Sequence, residues 1–124
     1  MPQTDVILYQ QKPGDVPMND WLGGLSKKQR AKCGVFLERL GEFGSELRRP
    51  AVEYLEGTDL YELRVKVFKV HLRMLYFFHG RDAVVVSHGF AKEGKIPPGE
   101  IRLATTHMER FKKNPKLHTY NPQE

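Results

Sequence analysis

Between Leu60 and Lys92 the sequence reads LYELRVKVFKVHLRMLYFFHGRDAVVVSHGFAK, three consecutive runs of strand-forming residues with basic side chains set among them. In the first run Tyr61, Leu63, Val65 and Val67 share one parity, while Glu62, Arg64 and Lys66 share the other. Side chains alternate faces along a strand, so the apolar set predicts a core-facing surface and the charged set an opposite one. Arg73 interrupts the second run and His88 ends the third. The spacing predicts turns near Phe68-Lys69 and at Gly80-Arg81-Asp82. Connections this short join successive strands antiparallel, as a meander.

The flanking segments complete the pattern. Val6 to Tyr9 predicts a first strand, closed by a turn that includes Pro13 and Gly14. Pro17 to Gly23 predicts a short helical segment around Trp21 and Leu22. Ser26, with Gln29 three residues on, predicts a capping box. The helix it opens carries Cys33, Phe36, Leu40 and Phe43 at buried-stripe spacing and stops at Gly41 or Gly44. Glu46 to Gly57 reads as a connection. Pro97-Pro98 opens a last helix, because proline's missing N–H is unneeded in a first turn. Its stripe is Ile101, Ala104, Met108 and Phe111, and Pro115 marks its end. The polar tail from about residue 114 is expected to be loosely ordered. The expected fold is α+β, a single domain over residues 1–124. Its antiparallel sheet, the N-terminal strand plus the meander, packs against N-terminal helices and a C-terminal helix.

Charge and cysteine content narrow the function classes. Twenty Lys and Arg against fifteen Asp and Glu give a formal charge of +5, which favours an acidic partner such as nucleic acid. Cys33 is the single cysteine, so no internal disulfide is available and a reducing cytoplasm is the natural compartment. The N-terminal MPQTDVILYQ lacks the pattern of a signal peptide, and no apolar run reaches membrane-span length. The five histidines form no HExxH or Cys/His pattern, and the carboxylates lack ligand-like spacing; neither a metal nor another cofactor is expected.

Cations and a histidine on one sheet face suit RNA cleavage without metal. In that reaction the 2′-hydroxyl attacks its own 3′-phosphate. A catalyst must take the hydroxyl proton, stabilise negative charge on the phosphorane and protonate the departing 5′-oxygen. Guanidiniums suit the phosphorane because their planar donors match two phosphate oxygens. Arg64 and Arg73 are the candidates, on neighbouring strands. His88 is the candidate general acid or base. Lys66 and Lys92 add phosphate contacts and can assist proton transfer, Lys95 adds charge, and Phe90 is placed to stack on a base. Arg73 has a structural alternative, an ion pair with Glu62 across the strands. His71 and His79, at turns, read as plain surface.

The segments LRRPAVEYLEGTDLYELRVK, HLRMLYFF and HGFAKEGKIPPGEI resemble the RelE/HigB superfamily of bacterial toxins, especially its phage-derived HigB-like branch. The correspondence runs from about Val6 to Phe111. It comprises an R-x-P stretch from Arg48, a YELR strand, an R-x-L-Y strand, HGF-x-K and a PP-x-E-I helix. The resemblance implies a microbial-RNase-like fold and ribosome-dependent cleavage of messenger RNA that inhibits translation. It also implies a cognate antitoxin, often of helix-turn-helix type. The alternative within that fold is a non-catalytic or degenerate module that binds RNA or the antitoxin. One departure keeps this alternative open: Glu93 stands where relatives carry a second basic residue after HGF-x. No tyrosine lies near the last helix before Tyr120, so tyrosine catalysis is not supported.

Overall fold

The computed structural model describes residues 3–120. Strand β1 (Asp5–Leu8) is followed by helices α1 (Pro17–Gly23) and α2 (Lys27–Phe43), then a short 3-10 turn at Gly44–Glu46. Strands β2 (Val52–Tyr54), β3 (Tyr61–Val67), β4 (Val70–His79) and β5 (Ala83–Ala91) come next, and helices α3 (Pro98–Lys113) and α4 (Pro115–His118) close the chain. The sheet order is β1-β5-β4-β3-β2.

The meander forms as its turns require, with Val67 opposite Val70 and His79 opposite Ala83. The sheet is nevertheless mixed rather than purely antiparallel. β1 runs parallel to β5, with Asp5 opposite Ala83 and Leu8 opposite Val86. Short connections force antiparallel neighbours only where strands are consecutive, and β1 reaches β5 across most of the chain. The stretch read as a plain connection also contains β2, which pairs antiparallel with the start of β3.

Parity along the strands divides the core. Leu63, Val65, Leu72, Met74 and Val84 face α1 and α2, packing with Met18, Cys33 and Leu40. Leu75, Phe77, Val85 and Phe90 face α3, packing with Ala104, Met108 and Phe111. Each such buried aliphatic or aromatic side chain contributes roughly 1.5–3 kcal/mol. The Ser26 capping box forms in both directions, and α2 runs on through Gly41 to a C-cap at Gly44. Phe43, expected in the buried stripe, is exposed instead. Burial pushes the Cys33 thiol up to about 11, leaving it inert and packed.

The segment after Lys113 is docked rather than loose as far as it is described. Asn114 caps α4, Thr119 bridges Tyr9, and the Tyr120 N–H donates to the Leu8 carbonyl at 3.1 Å. The last residues of the expected loose tail, 121–124, lie outside the described residues.

Candidate nucleic-acid site

Register builds the site. Arg64 lies directly opposite Arg73 and Lys66 directly opposite His71, so four basic side chains tile one face of the β3–β4 hairpin. Like charges facing across a ladder repel, and an intervening anion is needed to hold them. Glu62, two residues before Arg64 on the same face, is fully buried and supplies it. Its Oε1 accepts from Arg64 Nε at 2.9 Å. Its Oε2 lies 2.7 Å from Arg73 Nε, a charge contact too poorly aligned to count as a hydrogen bond. Arg73 is 7% exposed; its Nη2 donates to the Gly94 carbonyl, while its buried Nη1 has no partner.

The tile opens on a cavity of about 510 Å³. β2 covers β3 only up to Leu63, so the rest of that edge has no strand neighbour. Helix α2 stands alongside it, and its Lys32 donates to the Lys66 carbonyl at 2.6 Å. Lys32, Phe36 and Arg39 from α2 line the cavity with Arg64, Lys66, His71 and Arg73. Five cations and an imidazole therefore surround one space, and the single buried carboxylate beneath them is already shared by two guanidiniums. Among the described residues, Lys32, Arg39 and Lys66 form no ion pair. The cavity is suited to an anion.

Four of the residues expected at the site lie elsewhere. His88 shares the sheet face of Arg73 but is buried, and it does not line the cavity. Phe90 packs in the α3-side core against the His88 ring. Lys92 and Lys95 are exposed, and neither lines the cavity. Glu93 is likewise exposed and away from the lining. The sequence reading missed His71, Lys32 and Arg39. The Lys66–His71 register signals the first, given a hairpin turning at Phe68-Lys69. The others become visible only once α2 is docked.

His88 belongs to a separate buried chain. A register shift after Leu75 leaves Ser87 as an extra residue and turns His88 toward α3. His88 Nε2 lies 3.0 Å from Glu100 Oε1, and Ser87 Oγ lies 2.8 Å from both His88 Nδ1 and His107 Nδ1. A carboxylate only accepts, so His88 carries its proton on Nε2 and accepts from Ser87 at Nδ1. Ser87 has one proton, so His107 must donate to it from Nδ1. Burial lowers the His88 pKa, against the raising effect of Glu100. Burial, reinforced by neighbouring His88 and Arg110, lowers that of His107 to about 4. Ser87 is completely buried, so this Ser–His–Glu chain presents no nucleophile to a substrate.

Among the described residues no group of His, Cys, Asp and Glu is arranged to hold a metal ion, and no helix is long and apolar enough to cross a membrane. The family model for phage derived protein Gp49-like (DUF891) matches residues 20–109, which run from within α1 through most of α3. No curated protein matches the sequence.

Proposed function

The chain belongs to the Gp49-like family of phage-derived proteins, a toxin-like family related to the RelE/HigB type II toxins, and from that membership we propose a ribosome-dependent mRNA endoribonuclease. The observation that carries the reading is the cavity where five cations and one imidazole converge over a single shared carboxylate. The ribosome supplies substrate orientation that so small a site lacks. The cognate partner is an antitoxin, of helix-turn-helix type in the finer reading, and the compartment is the cytoplasm.

In this mechanism Arg64 and Arg73 hold the non-bridging oxygens of the scissile phosphate, with Lys32, Lys66 and Arg39 on the flanking backbone. The 2′-oxygen attacks phosphorus as its proton passes to a base. The P–O5′ bond then breaks and the 5′-oxygen takes a proton, leaving a 2′,3′-cyclic phosphate and a 5′-hydroxyl. His71 takes the acid–base role assigned to His88 on sequence, because it lines the cavity while both ring nitrogens of His88 are engaged. Lys66, directly opposite, is the second proton-transfer group.

The test is in vitro translation of a defined mRNA with purified protein and ribosomes, the cleaved ends mapped by primer extension. Arg64→Ala is the preferred variant because its side chain is 45% exposed and its loss perturbs the fold less than that of the buried Arg73. It is expected to lower cleavage about 10²–10³-fold, and His71→Ala about 10²–10⁴-fold. Wild-type cleavage rates in both variants would falsify the site. Burial of His88 favours a second reading, a non-catalytic module that binds RNA or antitoxin. Bacterial expression separates the two: growth arrest supports the nuclease, and harmless accumulation of folded protein supports the module.

A further inference from the structure

The two-residue connection of the β3–β4 hairpin is Phe68-Lys69, and Phe68 has φ +55. Glycine, asparagine or aspartate ordinarily fills such a position, because a Cβ is strained there. Phe68 is also 77% exposed. Among the described residues its aromatic-face contact is Lys28 of α2, whose Nζ sits 4.2 Å from the ring centroid. An exposed cation–π pair is too weak to outweigh both the strain and the exposure of a phenyl ring. Folding alone therefore gives no reason for an aromatic at this tip.

Its position does. Phe68 follows Lys66 by two residues, about 7 Å along the strand, and Lys66 and His71 line the cation-rich cavity. Lys28 precedes the cavity-lining Lys32 by one helical turn, so α2 carries positive charge from the cavity wall to the hairpin tip. We propose that Phe68 is a nucleobase-stacking platform, holding the base beside the phosphate in the cavity, with Lys28 on the adjoining backbone phosphate. The inference rests on the RNA reading and deepens it: the ligand is single-stranded RNA with an unpaired base at this tip. Flat π-faces stack with little regard to sequence, so this contact sets register and affinity more than base identity.

The experiment compares binding of a short single-stranded oligoribonucleotide and an abasic ribose-phosphate oligomer of equal length, by anisotropy, to wild type, Phe68→Gly, Phe68→Trp and Arg64→Ala. Phe68→Gly is expected to weaken base-bearing RNA about five- to a hundred-fold, to leave the abasic oligomer unchanged and to melt no lower than wild type. Phe68→Trp is expected to keep or improve RNA binding. Undiminished RNA binding by Phe68→Gly overturns the proposal and hands the tip to a protein partner. Equal weakening of both oligomers, or a Trp variant as weak as the Gly variant, overturns it too. In those cases an Arg64→Ala loss on both oligomers leaves the cavity reading standing. If wild type binds neither oligomer, the stacking proposal falls, and the ribosome-dependent cleavage reading is decided by the translation assay alone.

Discussion

Glu62 has no solvent exposure and lies between two guanidiniums, so substitutions at the cavity act on its charge as well as on any ligand. Arg73→Ala removes the more buried partner and leaves half of the carboxylate's compensation missing. The expected cost is about 3–5 kcal/mol, read as a fall in the urea midpoint. Glu62→Gln together with Arg73→Gln is expected to recover a large part of it, because the buried charge then disappears with its partner. That coupling makes Arg64, not Arg73, the clean test of chemistry. His107 carries much of the acid sensitivity, beside His88, whose pKa burial also lowers. Its folded-state pKa of about 4 lies below its ordinary value of 6.5, so the unfolded chain binds the proton more readily. Stability is therefore complete above about pH 6.5 and declines as pH falls toward 4, by about 2–3 kcal/mol. Denaturation series at pH 7.5 and 4.5 measure the decline. His107→Asn, which retains a polar partner for Ser87 but takes up no proton, is expected to make it shallower and leave the share of His88.

The strands show where elements impose what single residues cannot. Gly89 lies in β5 on the α1 side, where a Cβ would overlap the Trp21 ring, while its neighbours His88 and Phe90 point toward α3. Gly89→Ala is expected to cost about 1–3 kcal/mol by overpacking, seen as a lower melting temperature with unchanged pH dependence. Trp21→Leu in the same chain is expected to return part of the loss by making room. The alternation of Leu63, Val65 and Val67 against Arg64 and Lys66 was legible because a strand's period is two and one face meets a helix. So were the Ser26 cap and the stripe of α3, whose signals lie within a few residues of each other. The direction of β1 was not legible, because a distant pairing leaves no local mark. Nor was the bulge at Ser87: VVVSHGF reads as uninterrupted alternation, and an extra residue shows only against its partner strand. That shift explains why His88 is turned toward α3 and bonded to Glu100 instead of open to a ligand.

At the scale of the molecule, a formal charge of +5 in 124 residues becomes informative through its distribution. Lys32, Arg39, Arg64, Lys66 and Arg73 come from three elements that meet only in the folded chain, and they share one space. Arg49, by contrast, is exposed and already paired with Glu53 at 2.6 Å. If the cavity tracks an RNA backbone, binding releases counterions in proportion to the phosphates neutralised there. The logarithm of affinity for short single-stranded RNA should then fall linearly with the logarithm of salt concentration, each phosphate contributing about 0.7 to the slope. Three to five contacts place the wild-type slope near −2 to −3.5 by that relation. Lys66→Ala and Arg39→Ala should each make it shallower by about 0.7, whereas Arg49→Ala should lower affinity little and leave the slope alone. Anisotropy titrations across 50–200 mM salt, roughly the range where such contacts dominate, read all three. A slope equally shallower in Arg49→Ala would mean that a diffuse positive surface, and not the walls of this cavity, gathers the RNA.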